Sequence, residues 1–61
     1  MPEQVRASDA DRDAVIERLS RAFAQGRLTE DEFEERVATA CAARTMAELL
    51  ALTRDLPGGL W

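Results

Sequence analysis

Two short stretches, Thr29-Glu30-Asp31-Glu32 and Thr45-Met46-Ala47-Glu48, repeat one pattern: a threonine followed three residues later by a glutamate, opening onto apolar residues at helical spacing. In such a box the hydroxyl accepts from the third amide of the helix and the carboxylate reaches back to the threonine N–H. Two of the amides that a helix start leaves without partners are then satisfied reciprocally. Leu28 and Phe33 stand one residue before and four residues after the first threonine, the spacing at which two apolar side chains clamp the entering chain. The two boxes predict two helix starts and leave room for one helix before them.

That first helix is predicted to open at Ser8, whose hydroxyl can accept from the next turn, and to run over about residues 9 to 25. Asp9, Asp11 and Asp13 suit the positive end of its dipole, and Glu17 stands four residues before Arg21 as a favourable surface pair. Val15, Ile16, Leu19, Ala22 and Phe23 recur at the three-and-four spacing of one apolar face. Gly26 supplies the left-handed residue that ends it.

In the second helix Phe33, Val37, Ala40 and Cys41 form the predicted inward stripe, and Glu32 stands four residues before Arg36. The third follows Thr45 with Met46, Leu49, Leu50, Leu52 and Leu56 as a broad apolar stripe, ended by Pro57 and the Gly58-Gly59 pair. Short connections at Gly26 to Thr29 and Arg44 to Thr45 turn the helices back on one another. The fold class is therefore all-α: a compact three-helix domain with an antiparallel helical hairpin and a short third helix. Residues 8–57 make the domain, with tails at 1–7 and 58–61. Antiparallel geometry also brings Arg44 toward Asp9 or Asp11, where an ion pair is expected.

Glu30, Asp31, Glu32, Glu34 and Glu35 crowd the start of the second helix. Three of them lie in the first turn, where negative charge is stabilised, and Glu32 belongs to the box. Glu30 with Glu34 and Asp31 with Glu35 remain as like-charge pairs four residues apart. A carboxylate metal site in a helical bundle draws its further ligands from histidines, and the sequence has none. An acid/base pair needs a cleft to shift its carboxyls, which an exposed first turn does not offer. The reading of these four acids is a solvated or partner-binding face.

Cys41 cannot form an internal disulfide, and mid-helix without a histidine it reads as a small core residue. No catalytic constellation, metal ligand set or cofactor site is expected. A chain of 61 residues buries only about 60% of the surface its unfolded form exposes. Without disulfide or metal, such domains rely on tight helix packing or on partners. The apolar residues least sure of cover in one chain are Met46, Leu52, Leu60 and Trp61. With the acidic face they make the candidate interaction surface, and a homodimer is slightly favoured. The polar N-terminus and the absence of an apolar run near 20 residues lead to the expectation of a soluble, cytoplasmic chain.

The stretch RASDADRDAVIERLSRAFAQGRLTEDEFEERVATACAARTMAELLALTRDLP, Arg6 to Pro57, resembles the actinobacterial SHOCT-like domain of unknown function. The marks are the Arg-Ala-Ser-Asp-x-Asp-Arg opening, Gly26-Arg27-Leu28-Thr29 followed by Glu32-Phe33, Ala43-Arg44-Thr45, and the closing Asp55-Leu56-Pro57. Cys41 and Met46 depart from the polar or small residues of that pattern. The resemblance implies an appended bacterial module without assigned catalysis or ligand, commonly at the N-terminus of proteins whose later part spans a membrane.

Two functions follow. The first is a non-catalytic protein-interaction or oligomerisation module using exposed apolar residues and the acidic face. The alternative is a small nucleic-acid-binding or transcription-related domain, with Arg6, Arg12, Arg18 and Arg21 as a stripe. The net charge of −4 and the scatter of eight arginines among twelve acids weigh against the alternative.

Overall fold

A computed structural model describes residues 5–57. Three helices follow in order: α1 (Asp9–Ala24), α2 (Glu30–Ala42) and α3 (Met46–Ala51). α1 is the element against which both others pack, while α2 and α3 meet far less. None of the three is long and apolar enough to cross a membrane.

Each helix starts where the sequence places a cap. At α1 the Ser8 hydroxyl accepts from the Asp11 N–H and the Asp11 carboxylate accepts from the Ser8 N–H, both at 3.0 Å. The box is therefore complete with aspartate in the usual glutamate position, which the sequence reading missed. At α2 the same exchange joins Thr29 and Glu32, at 3.1 and 2.8 Å. At α3 the Thr45 hydroxyl accepts from the Glu48 N–H, but Glu48 turns its carboxylate to the Thr45 hydroxyl and the Arg44 N–H instead of the Thr45 N–H. The predicted second box is thus half formed.

An extended segment before α1 lies against this cap. Arg6 makes an antiparallel bridge with Thr45, in which the Ala7 N–H donates to the Arg44 carbonyl and the Met46 N–H to the Val5 carbonyl, each at 2.9 Å. Thr45 is held in strand conformation, and the first amide of α3 finds its acceptor in Val5. A helix of six residues is far below the length that holds itself together in water, so such outside partners carry its first turn. Periodicity gave no sign of this pairing.

α1 ends one residue before the expected limit. Gly26, at φ +78°, occupies the left-handed position, the Gly26 N–H donates to the Phe23 carbonyl and the Arg27 N–H to that of Ala22. This is the double hydrogen bond of a Schellman turn, and it aims Leu28 into the core. α3 stops at Ala51, short of the expected run to Pro57, and residues 52–55 continue as turns with a bend at Leu56. Proline disfavours helical backbone in the residue before it, and the bend lets Asp55 meet Arg36.

The core is small. Leu19 and Leu49 are the large side chains wholly removed from solvent, and Val15, Leu28 and Leu56 join them. Ala22, Ala40 and Ala43 are buried at the contacts, where small side chains let the backbones approach. Each fully buried leucine contributes about 1.5–3 kcal/mol of transfer free energy. Cys41, expected on the inward stripe, is exposed. It lies about 100° around the helix from Ala40, where the buried line is centred, beyond reach of α1.

Candidate interaction surface

The residues singled out as an interaction surface divide. Glu30, Asp31, Glu34 and Glu35 are all exposed. Met46 and Leu52, two of the residues least sure of cover, are partly buried and packed against the core. Leu60 and Trp61 lie outside the described residues. Among the large apolar side chains described, Val5 in the segment before α1 is 56% exposed, and a second apolar surface also faces solvent.

It lies along the seam of the α1–α2 hairpin. Phe23 is 38% exposed and stacks on Phe33, with ring centroids 4.7 Å apart and planes within 10° of parallel. Phe23 was expected in the core. Its position in the last turn of α1 places it at the open end of the seam, where α2 covers one ring face only. Ile16 lies two turns before Phe23 and Val37 one turn after Phe33, both partly buried. By helical spacing these four side chains line the seam as an apolar strip packed against the core, with Phe23 its solvent-exposed member.

Charges border the strip unequally. Glu30 precedes Phe33 by three residues and Glu34 precedes Val37 by three, so both acids flank its α2 side. Asp13 precedes Ile16 by three on the α1 side. At one end Arg12 is engaged with the Asp9 carboxylate at 2.8 Å and the Ala43 carbonyl at 2.9 Å. At the other end Arg27 gives its Nε–H to the Gln25 side chain at 2.9 Å. Arg44 makes no ion pair with Asp9 or Asp11 among the described residues, since the first acid is taken by Arg12 and the second by the Ser8 cap.

On the other flank of α2, Glu35, Arg36, Thr39, Ala51, Leu52, Arg54 and Asp55 line a groove of about 500 Å³. Arg36 does not pair with Glu32 as expected. Its two terminal nitrogens hold both Asp55 oxygens at 2.8 and 3.0 Å, and one also donates to the Leu52 carbonyl at 3.0 Å. The hydrogen bonds from Arg36 hold the Asp55 carboxyl below its ordinary value, and those same bonds raise Arg36. A carboxylate so stabilised is a poor base, and the forked pair fastens the turn after α3 onto α2. The other lowered carboxyls, Asp11 and Glu32, are those that accept from backbone amides in the caps. Among the described residues no three acids or cysteines converge as metal ligands would.

Two uncharacterized proteins of Mycobacterium tuberculosis, MT0994 of strain CDC 1551 / Oshkosh and Rv0966c of strain ATCC 25618 / H37Rv, are each 48% identical to this chain over 56 residues. The match covers 92% of the chain and 28% of each relative, so the chain spans little more than a quarter of their length. No solved structure is significantly similar. The family model described as the DUF1707 SHOCT-like domain matches residues 5–57, and the chain belongs to that family.

Proposed function

We propose that this domain is a non-catalytic helical module that binds protein through the apolar seam of its α1–α2 hairpin. The observation that carries the reading is the Phe23–Phe33 pair: two stacked rings held at a capped helical turn, with Phe23 left 38% exposed. Apolar strips of this kind on small domains serve as contact surfaces, and aromatic side chains are enriched at the centres of interfaces. The capped helix starts and the Arg36–Asp55 fork keep the surface rigid, which lowers the entropy lost on binding.

Self-association is the oligomerising form of the same reading. Of the four apolar residues expected to drive it, Met46 and Leu52 are partly buried and Leu60 and Trp61 lie outside the described residues, so the strip around Phe23 is the surface on which it rests. Sedimentation equilibrium up to high micromolar concentration, on the wild type and Phe23→Ser, tests it. A dimer mass lost in the variant supports self-association, and a strict monomer in both directs the strip to a different protein. Duplex DNA titrated at low salt belongs beside it. Tight binding that Phe23→Ser leaves unchanged would overturn the interaction reading in favour of nucleic acid.

A further inference from the structure

Resting on that reading, we propose that the hairpin seam takes a basic amphipathic helix from another protein segment, in preference to a second copy of this chain. The strip of Ile16, Phe23, Phe33 and Val37 runs along two antiparallel helices, and an amphipathic helix docks by laying its apolar face along such a strip. The chemistry of the occupant follows from the border. Glu30, Glu34 and Asp13 flank the strip, and of the two arginines described at its ends Arg12 is matched by Asp9.

Glu30 and Glu34 also repel one another across one turn of α2, as Asp31 and Glu35 do. Like charges at this spacing destabilise a helix. Glu32 is absorbed by the cap; among the described residues Glu30 and Glu34 make no hydrogen bond or ion pair. A two-fold pairing of the seam would set one acidic border toward another, with a net charge of −4 on each chain. Like-charge juxtaposition disfavours a partner, whereas lysines or arginines flanking an apolar stripe would meet Glu30 and Glu34 and relieve their repulsion. Helix-in-groove binding needs apolar anchors about one and two turns apart, the spacing of Phe33 to Val37 and of Ile16 to Phe23.

The test uses three labelled peptides of roughly five helical turns, long enough to cover the seam: a leucine stripe flanked by lysines, the same stripe flanked by glutamates, and a scrambled sequence of the first composition. Fluorescence anisotropy at physiological salt gives affinity, and amide chemical shifts of the whole chain locate the contact. The lysine-flanked helix is expected to bind at least about tenfold more tightly than either control, roughly 1.4 kcal/mol. Its shifts should centre on Ile16, Phe23, Phe33 and Val37.

Phe23→Ser should weaken that binding about tenfold, as loss of an aromatic anchor does. The double variant E30Q/E34Q, at exposed positions where removing repulsion does not threaten the helix, should erase the preference for lysine over glutamate flanks. The double variant D31N/E35Q, on the outer face, should keep it. Equal binding of the scrambled peptide, or a preference untouched by E30Q/E34Q, overturns the proposal. If the glutamate-flanked helix binds as tightly and still needs Phe23, the partner chemistry is wrong while the interaction surface stands. If no peptide depends on Phe23, both fail. A dimer of the free chain that Phe23→Ser dissolves assigns the seam to a second copy and likewise overturns the proposal.

Discussion

Arg12 gives its Nε–H to the backbone carbonyl of Ala43 at 2.9 Å, joining the first turn of α1 to the residue that closes α2, 31 positions away. The carbonyl belongs to a buried residue at a helix end, where acceptors lack intrahelical partners. Arg12→Met should therefore destabilise the domain by about 1–3 kcal/mol, through an acceptor left without its donor. Arg12→Lys should be little better, since an ammonium cannot offer a side-on N–H while its head stays with Asp9. Asp9→Asn, which removes the exposed ion pair and leaves the Nε bond, should leave the urea midpoint nearly unchanged. A midpoint equally lowered by Asp9→Asn and Arg12→Met would assign the effect to the ion pair.

Loss of a helix cap should register in thermal melts. Thr29→Ala and Thr45→Ala each remove an acceptor for a first-turn amide, at a cost of about 1 kcal/mol. In a domain of this size that lowers the melting temperature by about 4–8 °C. Thr39 is the control: its hydroxyl donates to the Glu35 carbonyl one turn back, a carbonyl available for the helix's own bonding. Thr39→Ala should melt close to the wild type.

A core with two wholly buried leucines has little reserve. Leu19→Ala or Leu49→Ala should cost about 2–5 kcal/mol. At about 0.05–0.15 kcal/mol per residue, a 61-residue chain has roughly 3–9 kcal/mol in all. Either variant should thus show a large loss of helical circular dichroism at 25 °C or a sharply lowered midpoint, whereas Cys41→Ala, on the exposed side of α2, should remain as stable as the wild type.

Acid should weaken the fold through three carboxylates. Asp11 and Glu32 are held below ordinary values of 3.8 and 4.5 by hydrogen bonds from the Ser8 and Thr29 caps, and Asp55 below 3.8 by Arg36. A carboxyl lowered by folding contributes stability that is complete above its unfolded pKa and disappears as pH falls through its folded value. Stability should accordingly hold near pH 6 and decline below about pH 4.5, with the loss continuing past the ordinary aspartate range. Melts across pH 2 to 7 would show it, and Asp55→Asn should reduce the loss of stability below the ordinary aspartate value. An unchanged slope in that variant would contradict the role given to the Arg36 fork.

The parts of the fold readable from sequence are those whose causes are local. Ser8, Thr29 and Thr45 act within one turn of themselves, and Gly26 needs only its own backbone to stop α1. Arg36 was assigned to Glu32 because four-residue spacing is visible in a sequence, while its bond to Asp55 depends on a bend that forms only after α3 has ended. Cys41 follows Ala40 by one position, and the choice between inward and outward there turns on the crossing of α1 with α2. The candidate surface was half legible for a related reason. Exposure of Glu30 and Glu34 follows from composition, but that of Phe23 follows from where α2 happens to stop covering α1.

The bridge between Arg6 and Thr45 has a mechanical consequence. Its two hydrogen bonds, Ala7 to Arg44 and Met46 to Val5, stand between anything attached ahead of Val5 and the rest of the domain. A tether pulling on that end loads this short antiparallel clasp before it loads α1. Yielding there takes the acceptor from the first amide of α3, so traction at the start of the chain would loosen the third helix first and leave the hairpin seam in place.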